Sequence, residues 1–284
     1  MGDTDPHEHV RRVAAVFDRA AEGYDSPAMR FFPFAADRLT HKLHPAAGDK
    51  VLDVCAGTGA ATLALAQAVG PQGRVFAIDL SEAMLAKLDE KRRKFGIEQI
   101  DVHVMDASRP EFRRDYFHHV VSAFGIFFMP DMAAALREWV RVLRPGGRLI
   151  FTAFTAGAFE PYKAMFFERL KSFGVDPGQA MSPAQKLYDP DECRRLAESA
   201  GLQDVQVETE QLGYHLRNAQ DWWEIVWFTG LRNFVQNLAP QALEAFRAAH
   251  LAEIDAQAGP DGIWLDVGVH FTRGNKAAGR NSGN

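Results

Sequence analysis

The sequence predicts an α/β protein, a doubly wound and mostly parallel sheet of seven strands with helices on both faces. Three observations carry that expectation. Short apolar strands alternate with helix-period segments through the first half of the chain. A glycine turn, Gly57-Thr58-Gly59, joins one such strand directly to a run of strong helix formers. An acid, Asp79, closes the following strand 22 residues after Gly57. Composition agrees: 284 residues, 47% hydrophobic and 24% charged, fit one large globular domain and exclude disordered, collagenous and fibrous classes. A formal charge of −5 argues against a protein that grips nucleic acid by overall charge. No apolar run is long enough for a membrane span, and the N-terminus lacks the apolar stretch of a secretory signal. The two cysteines, Cys55 and Cys193, make no disulfide framework, so a cytoplasmic setting is expected.

The elements follow in order. Val10, Val13, Ala14, Phe17 and Ala21 recur at spacings of three and four, which predicts an amphipathic helix over Pro6–Ala21. Tyr24-Asp25-Ser26-Pro27 reads as a turn, and Ala28–Leu43 as a second helix. Lys50–Val54 is a buried strand, Cys55–Gly59 a tight turn and Ala60–Val69 a helix closed by Gly70-Pro71. Arg74–Asp79 is the second strand, and Ser81 caps a helix running to Lys94. Val102–Asp106 and His119–Phe124 are the third and fourth strands, separated from the fifth, Leu149–Phe154, by a helix over Met132–Leu143 and a Pro145-Gly146-Gly147 turn. Beyond Phe154 the rhythm breaks. Helices are expected at Tyr162–Phe173, from Asp189 to Gly201, at Asp221–Leu238 and at Pro240–Ala258. Gly174–Pro183 reads as a loop. Val205–Leu216 and Ile263–Thr272 alternate as the sixth and seventh strands, and the tail from Gly274 is rich in glycine and asparagine. With no internal repeat or long linker, one elaborated domain is expected.

The glycine turn has a physical use. Glycines let backbone approach a ligand closely, and a helix N-terminus offers unpaired N–H groups. An acid ending the next strand, Asp79, suits two ribose hydroxyls, as in dinucleotide sites. The alternative is structural, with the turn a mere connection and Asp79 a helix cap. The turn itself, Ala56-Gly57-Thr58-Gly59-Ala60-Ala61, lacks the third glycine of the dinucleotide fingerprint, and Asp53 just before it would repel a pyrophosphate. An acid there suits a cation.

Val51–Gly59 resembles the first motif of class I S-adenosylmethionine (SAM) methyltransferases, and Ile78–Leu85 the second. Val104-Met105-Asp106-Ala107 resembles their adenine-side motif and Arg141–Gly147 their turn into strand five. Phe17–Asp25 is similar to the N-terminal signature of the ubiquinone/menaquinone biosynthesis C-methyltransferase group. Together these cover roughly residues 17–154. The resemblance implies a Rossmann-like fold, SAM as cofactor, and a parsing into N-terminal helices over the cofactor (1–45), a SAM-binding core (46–154), completion of the sheet with helical lid insertions (155–276, the lids being 155–188 and 217–260) and a disordered tail (277–284). It implies Ala56, Gly57, Thr58 and Gly59 along the methionine and ribose, and Asp53 near the amino group. It further implies Asp79 on the ribose hydroxyls, Leu80 and Met84 around adenine, and Asp106 with the Ala107 N–H on its edge. Ala123 and Phe124 would close the methionine end and Tyr24 would cover the cofactor. Cys55 stands where many members have glycine, either packing in the turn or offering a thiol.

No residue declares itself as catalytic base. Tyr24, Tyr162 and His215, the last expected at the mouth end of strand six, are candidates. The His118-His119 pair, at the opening of strand four, reads as structural, and His7 and His9 as solvated. Lys87–Lys94 carries five basic residues interleaved with two acids, a solvated helix end rather than a nucleic-acid patch. No spacing suggests a metal site. Phe127, Phe128, Tyr162, Trp223 and Trp227 are candidate acceptor contacts, since a lid lined with aromatics would select a flat or apolar molecule; core packing explains the same residues. The expected reaction is methyl transfer by in-line displacement to a small hydrophobic or aromatic acceptor. The alternatives are a nicotinamide-dependent oxidoreductase on a similar sheet and a non-catalytic SAM-binding protein. The expected partner is that small acceptor, with no nucleic acid and no integral membrane segment; self-association into a homo-oligomer stays open.

Overall fold

The computed structural model describes residues 6–176 and 183–279. In chain order these form α1 (Pro6–Ala20), α2 (Phe31–Leu43), β1 (Lys50–Val54), α3 (Ala60–Val69), β2 (Arg74–Asp79), α4 (Glu82–Lys94), β3 (Ile100–Val104), β4 (Phe117–Ser122), α5 (Met132–Val142) and β5 (Leu143–Phe154). There follow α6 (Tyr162–Ser172), α7 (Pro190–Ser199), β6 (Leu202–Gln211), β7 (Tyr214–Leu216), α8 (Ala219–Phe228), α9 (Arg232–Val235), α10 (Pro240–Asp255), β8 (Ile263–Leu265) and β9 (Gly268–Lys276). Seven strands make one sheet in the order β3-β2-β1-β4-β5-β9-β6. β1 lies parallel to β2 and β4, and β9 runs antiparallel to both of its neighbours. The expected class is therefore observed. The order reverses between β1 and β4, and a crevice at such a switch point is where open α/β sheets bind ligands.

Both faces of the sheet are covered. On one, Leu39 of α2 and Leu65 of α3 pack with Phe166, Trp222 and Phe246 of α6, α8 and α10. On the other, Leu136 and Trp139 of α5 pack with Cys193 and Ala197 of α7. Ser81 caps α4 by accepting from the Met84 N–H, and Asp189 caps α7 by accepting from the Asp191 N–H.

Several boundaries differ from expectation, each for a local reason. The second helix opens as a 3-10 turn, Pro27–Met29, capped by Ser26, before α2 begins at Phe31. β3 and β4 each lie two residues earlier than read. At their ends Asp106 accepts from the Ser108 N–H, and Phe124 takes a left-handed φ of 58° that a strand cannot continue through. The Pro145-Gly147 turn is an excursion within β5, where pairing jumps from Leu143 opposite Phe117 to Arg148 opposite His119. The expected sixth strand is two. At Gly213 a side chain would meet the Leu265 carbonyl at 2.6 Å, so the chains touch there, and β7 leaves the main sheet to pair with β8 as a separate ribbon. Gln211 stabilises both breaks, its Oε1 accepting from the Gly213 and Val267 N–H groups. The expected helix over 221–238 is interrupted at Thr229-Gly230. Gly274–Lys276, read as tail, completes β9, while 280–284 and the loop residues 177–182 lie outside the described residues, as do the side chains of His7 and His9. Among the described residues no helix is long and apolar enough to cross a membrane.

Candidate functional site

The C-terminal ends of the first four strands converge on one cavity of about 50 Å³. Its floor comes from the turns after them: Cys55 and Gly57 after β1, Asp79 and Leu80 after β2, Ala107 after β3, and Ala123, Phe124 and Gly125 after β4. Phe128 and Met129 close one side. Val13 and Phe17 of α1, with Tyr24 of the following turn, form the roof.

The glycine turn is held from beneath. The Gly57 N–H donates to Asp79 Oδ2 at 2.8 Å, and the Ser81 N–H donates to Oδ1 at 2.9 Å. Asp79 thus ties the first turn to the start of α4, and burial pushes its carboxyl above the ordinary aspartate range. Gly59, at φ 90°, has no room for a side chain because Leu88 of α4 packs against it. Cys55, at φ 60°, sits against Gly125, where a Cβ would lie 2.5 Å from the Cys55 Cβ. Burial and the nearby Asp79 keep the Cys55 thiol protonated, which answers the sequence alternative of a reactive thiolate in favour of packing.

Asp53 lies fully buried below the turn. Its Oδ2 accepts from the Thr62 hydroxyl at 2.6 Å, its Oδ1 has no hydrogen-bond partner, and burial pushes its carboxyl up to about 7. An unpartnered buried carboxylate oxygen costs free energy unless a donor or cation reaches it. Of the three acids near the C-terminal strand ends, Asp79 lines the cavity, Asp53 lies buried beneath the glycine turn and Asp106 caps the loop after β3.

Tyr24 stacks on Phe32 at 4.8 Å between centroids, with its ring beside Gly57. Burial, then the carboxylates of Asp79 and Asp25, hold its phenol protonated far above neutrality. Phe17 meets Phe128 edge-on at 5.0 Å. The Phe124 N–H donates to Thr152 Oγ1, and its ring stacks on Phe154 at 4.3 Å. The Ala107 carbonyl accepts from the buried Trp139 indole at 2.7 Å, which fixes the loop after β3.

Of the residues singled out from sequence, Tyr24, Gly57, Asp79, Leu80, Ala107, Ala123, Phe124 and Phe128 meet at this cavity. Ala56 and Gly59 belong to the turn but do not line it, and Thr58 directs its hydroxyl to Asp25 at 2.7 Å. Met84 is buried beneath α1 with Ala20, Ala21 and Tyr24, and Asp106 caps its own loop. Phe127 packs beside Phe128 without reaching the cavity. Tyr162, Trp223 and Trp227 lie elsewhere. Tyr162 packs on Trp222, Trp223 stacks on Trp227 and touches Phe246, and the Arg232 guanidinium sits over Trp227. The expected position of His215 is also corrected. It stands exposed on the β7–β8 ribbon, against Trp264, because β7 has left the main sheet. His118 and His119 face Asp49 at the opposite end of the sheet, in keeping with a structural role. The roof is α1 and its turn, with no lining residue among the described residues of 155–260. Val13, Phe17, Gly125 and Met129 were not singled out for the site; Val13 and Phe17 were visible on α1's apolar stripe and Phe17 also opens the family-like N-terminal signature, whereas Gly125 and Met129 carried no signal. A larger open cleft of about 470 Å³ between α6 and α10 is lined by Arg169 and Glu253, which pair with each other, by Glu168, which pairs with Lys171, and by Ser172, whose hydroxyl donates to the Arg169 carbonyl.

A doubly wound sheet with a glycine turn and the Asp79 carboxyl at the cavity of its switch point is the arrangement of a nucleoside-cofactor site. Comparison makes it particular. The model of the ubiE/COQ5 methyltransferase family matches residues 6–214, and the chain belongs to that family. It is 31% identical over 217 residues to demethylmenaquinone methyltransferase of Bacillus cytotoxicus, covering 71% of this chain and 92% of the relative. It is 34% identical over 153 residues to aklanonic acid methyltransferase DauC of Streptomyces sp. strain C5, covering 53% of this chain and 70% of that one. Among solved structures, the YcgJ protein of Bacillus subtilis shares the fold, with a TM-score of 0.58 at 18% identity over 87% of this chain and all of its own. The protein is an S-adenosylmethionine-dependent methyltransferase, and the oxidoreductase alternative is set aside.

Proposed function

We propose that this enzyme methylates a flat, apolar acceptor of the quinone or aromatic-polyketide kind. One observation carries the reading: the walls around the glycine turn are Phe17, Tyr24, Phe124, Phe128 and Met129, with no basic side chain among them. An apolar aromatic wall favours a flat ring and disfavours a charged polymer. The relatives named for demethylmenaquinone and for aklanonic acid support the same class. The acceptor is then a small molecule met in the cytoplasm.

SAM supplies an electrophilic methyl group on a sulfonium. The roles we assign to the chain follow its chemistry. Asp53 Oδ1 faces the cofactor ammonium, satisfying the buried oxygen. Asp79 takes the ribose hydroxyls while still holding the glycine turn formed by Ala56, Gly57, Thr58 and Gly59. Leu80 and Met84 flank adenine, with Asp106 and the Ala107 N–H at its edge. Ala123 and Phe124 bound the methionine end, and Tyr24 covers the sulfonium. Bound SAM would supply the methyl carbon and the acceptor the electron pair of the new bond, with the carbon–sulfur pair returning to sulfur. Alignment of these three centres is the protein's main contribution.

Of the titratable groups lining the cavity, Asp79 is committed to the Gly57 and Ser81 N–H groups. Burial keeps the Tyr24 phenol and the Cys55 thiol protonated. An acceptor that enters as its phenolate or enolate, its proton already given to solvent, fits that environment. The test is a mass-shift assay of +14 with SAM and three acceptors: a naphthoquinol, a polycyclic aromatic acid and a small primary amine. Methylation of the flat acceptors is expected. Methylation of the amine alone, or of none, would overturn the acceptor class.

A further inference from the structure

Thr58, Asp25 and Lys91 form a closed ring of contacts outside the cavity. The Thr58 hydroxyl donates to Asp25 Oδ1 at 2.7 Å. Lys91 Nζ pairs with Asp25 Oδ2 at 2.7 Å and donates to the Thr58 carbonyl at 2.9 Å. Each residue therefore touches both others. Thr58 is buried, while the Asp25 and Lys91 side chains are partly exposed.

The location of the ring gives it meaning. Asp25 directly follows Tyr24, and Thr58 directly follows Gly57; both predecessors line the cavity, and the Tyr24 ring lies against Gly57. Lys91 belongs to α4, the helix that starts just after Asp79 and Leu80, which line it too. One carboxylate thus fastens three walls of the cavity to one another. Asp18 makes a parallel attachment one turn earlier, accepting from the Ser81 hydroxyl at 2.6 Å, but it touches no residue of the glycine turn. Without Asp25, the turn bearing Tyr24 keeps its contacts to α8 (Ser26 with Glu224, and Phe228 against Gly23) and loses those to the glycine turn.

We infer that Asp25 is a positioning residue for the cofactor: bridging Thr58 and Lys91, it holds Tyr24 against the glycine turn and so sets cofactor affinity. The inference rests on the cofactor part of the reading above and is independent of the acceptor.

The probe is S-adenosylhomocysteine, measured by titration calorimetry on the full chain. Binding by the unaltered enzyme is measured first and tests the cofactor site itself; the variants then test Asp25. Asp25→Ala and Thr58→Val are expected to weaken binding about tenfold or more. Asp25→Asn, which keeps an acceptor for the Thr58 hydroxyl but loses the ion pair, and Lys91→Met should fall between these and the unaltered enzyme. Thr58→Ser should recover most of the affinity, because it restores the hydroxyl. In turnover, the KM for SAM should rise far more than kcat falls. The exposed ion pair is screened by salt, so affinity for the net-neutral probe should decline from low to high NaCl, and Asp25→Asn should abolish that dependence. Should Asp25→Ala fail to fold, the Thr58→Val and Thr58→Ser pair carries the test. Unchanged dissociation constants in Asp25→Ala and Thr58→Val overturn the proposal. So does a loss in Thr58→Ser equal to that in Thr58→Val, since packing alone would then explain both.

Discussion

Asp53 shows how burial and charge compete at a single residue. Its carboxyl sits at about 7 against an ordinary value of 3.8, because burial outweighs the Thr62 hydrogen bond. Between those values the folded chain holds a proton that the unfolded chain has lost, so this group makes stability fall as pH rises from about 4 to about 7 and stay level above. Asp53→Asn removes the titration and keeps an acceptor for Thr62. Denaturant unfolding at pH 5 and pH 8 should show the variant gaining on the unaltered protein at the higher pH. Parallel pH profiles would count against a buried, raised carboxyl. The acid at this position was legible in the sequence as cation-favouring. Its missing partner was not, because only packing reveals which oxygen is left alone.

At the scale of elements, the aromatic helix α8 was read as lid or core, and its contacts in this structure are core contacts. Trp222 donates its indole N–H to the buried His250 of α10 at 2.9 Å, and Trp223 lies between Trp227 and Phe246. Burial pushes His250 down, which suits a neutral ring accepting that bond. Trp223→Ala should therefore cost about 3–5 kcal/mol of stability, as large-to-small core changes do, while the folded variant keeps its affinity for S-adenosylhomocysteine. A selective loss of acceptor affinity with unchanged melting would return the helix to the acceptor site. Helix α2 follows the same logic through charge. Arg38 and Lys42 clasp Glu210 and Glu208 of β6, a pairing of residues roughly 170 apart that no local pattern announces.

For the molecule as a whole, a cavity of about 50 Å³ falls far below the roughly 300–1,000 Å³ of small-molecule sites. Entry of a nucleoside cofactor is therefore expected to open the roof of α1 and the Tyr24 turn, which then closes over the cofactor with the Asp25 clasp formed again. These parts are fastened by apolar contacts, Phe17 on Phe128, Tyr24 on Phe32 and Ala20 and Ala21 on Met84, and by polar clasps, Asp18 to Ser81 and Asp25 to Thr58 and Lys91, which can break and reform without unfolding the core. Hydrogen exchange should show residues 6–26 less protected than β1 and β4 in the free enzyme and gaining most on addition of S-adenosylhomocysteine. Equal protection throughout would argue for a rigid roof.

The sequence alone determined the alternating architecture, the glycine turn, the acid Asp79 that ends β2 and the family, because each is written in neighbouring residues whose spacing maps directly onto strand, turn and helix. Only the tertiary structure decided that β7 and β8 leave the sheet, that α1 rather than α8 roofs the cavity, and that Thr58 turns outward to Asp25. Those outcomes depend on close approaches between distant segments, at Gly213 against Leu265 and at Thr58 against Asp25, where sterics and hydrogen bonding act across the fold and leave no periodic trace along the chain.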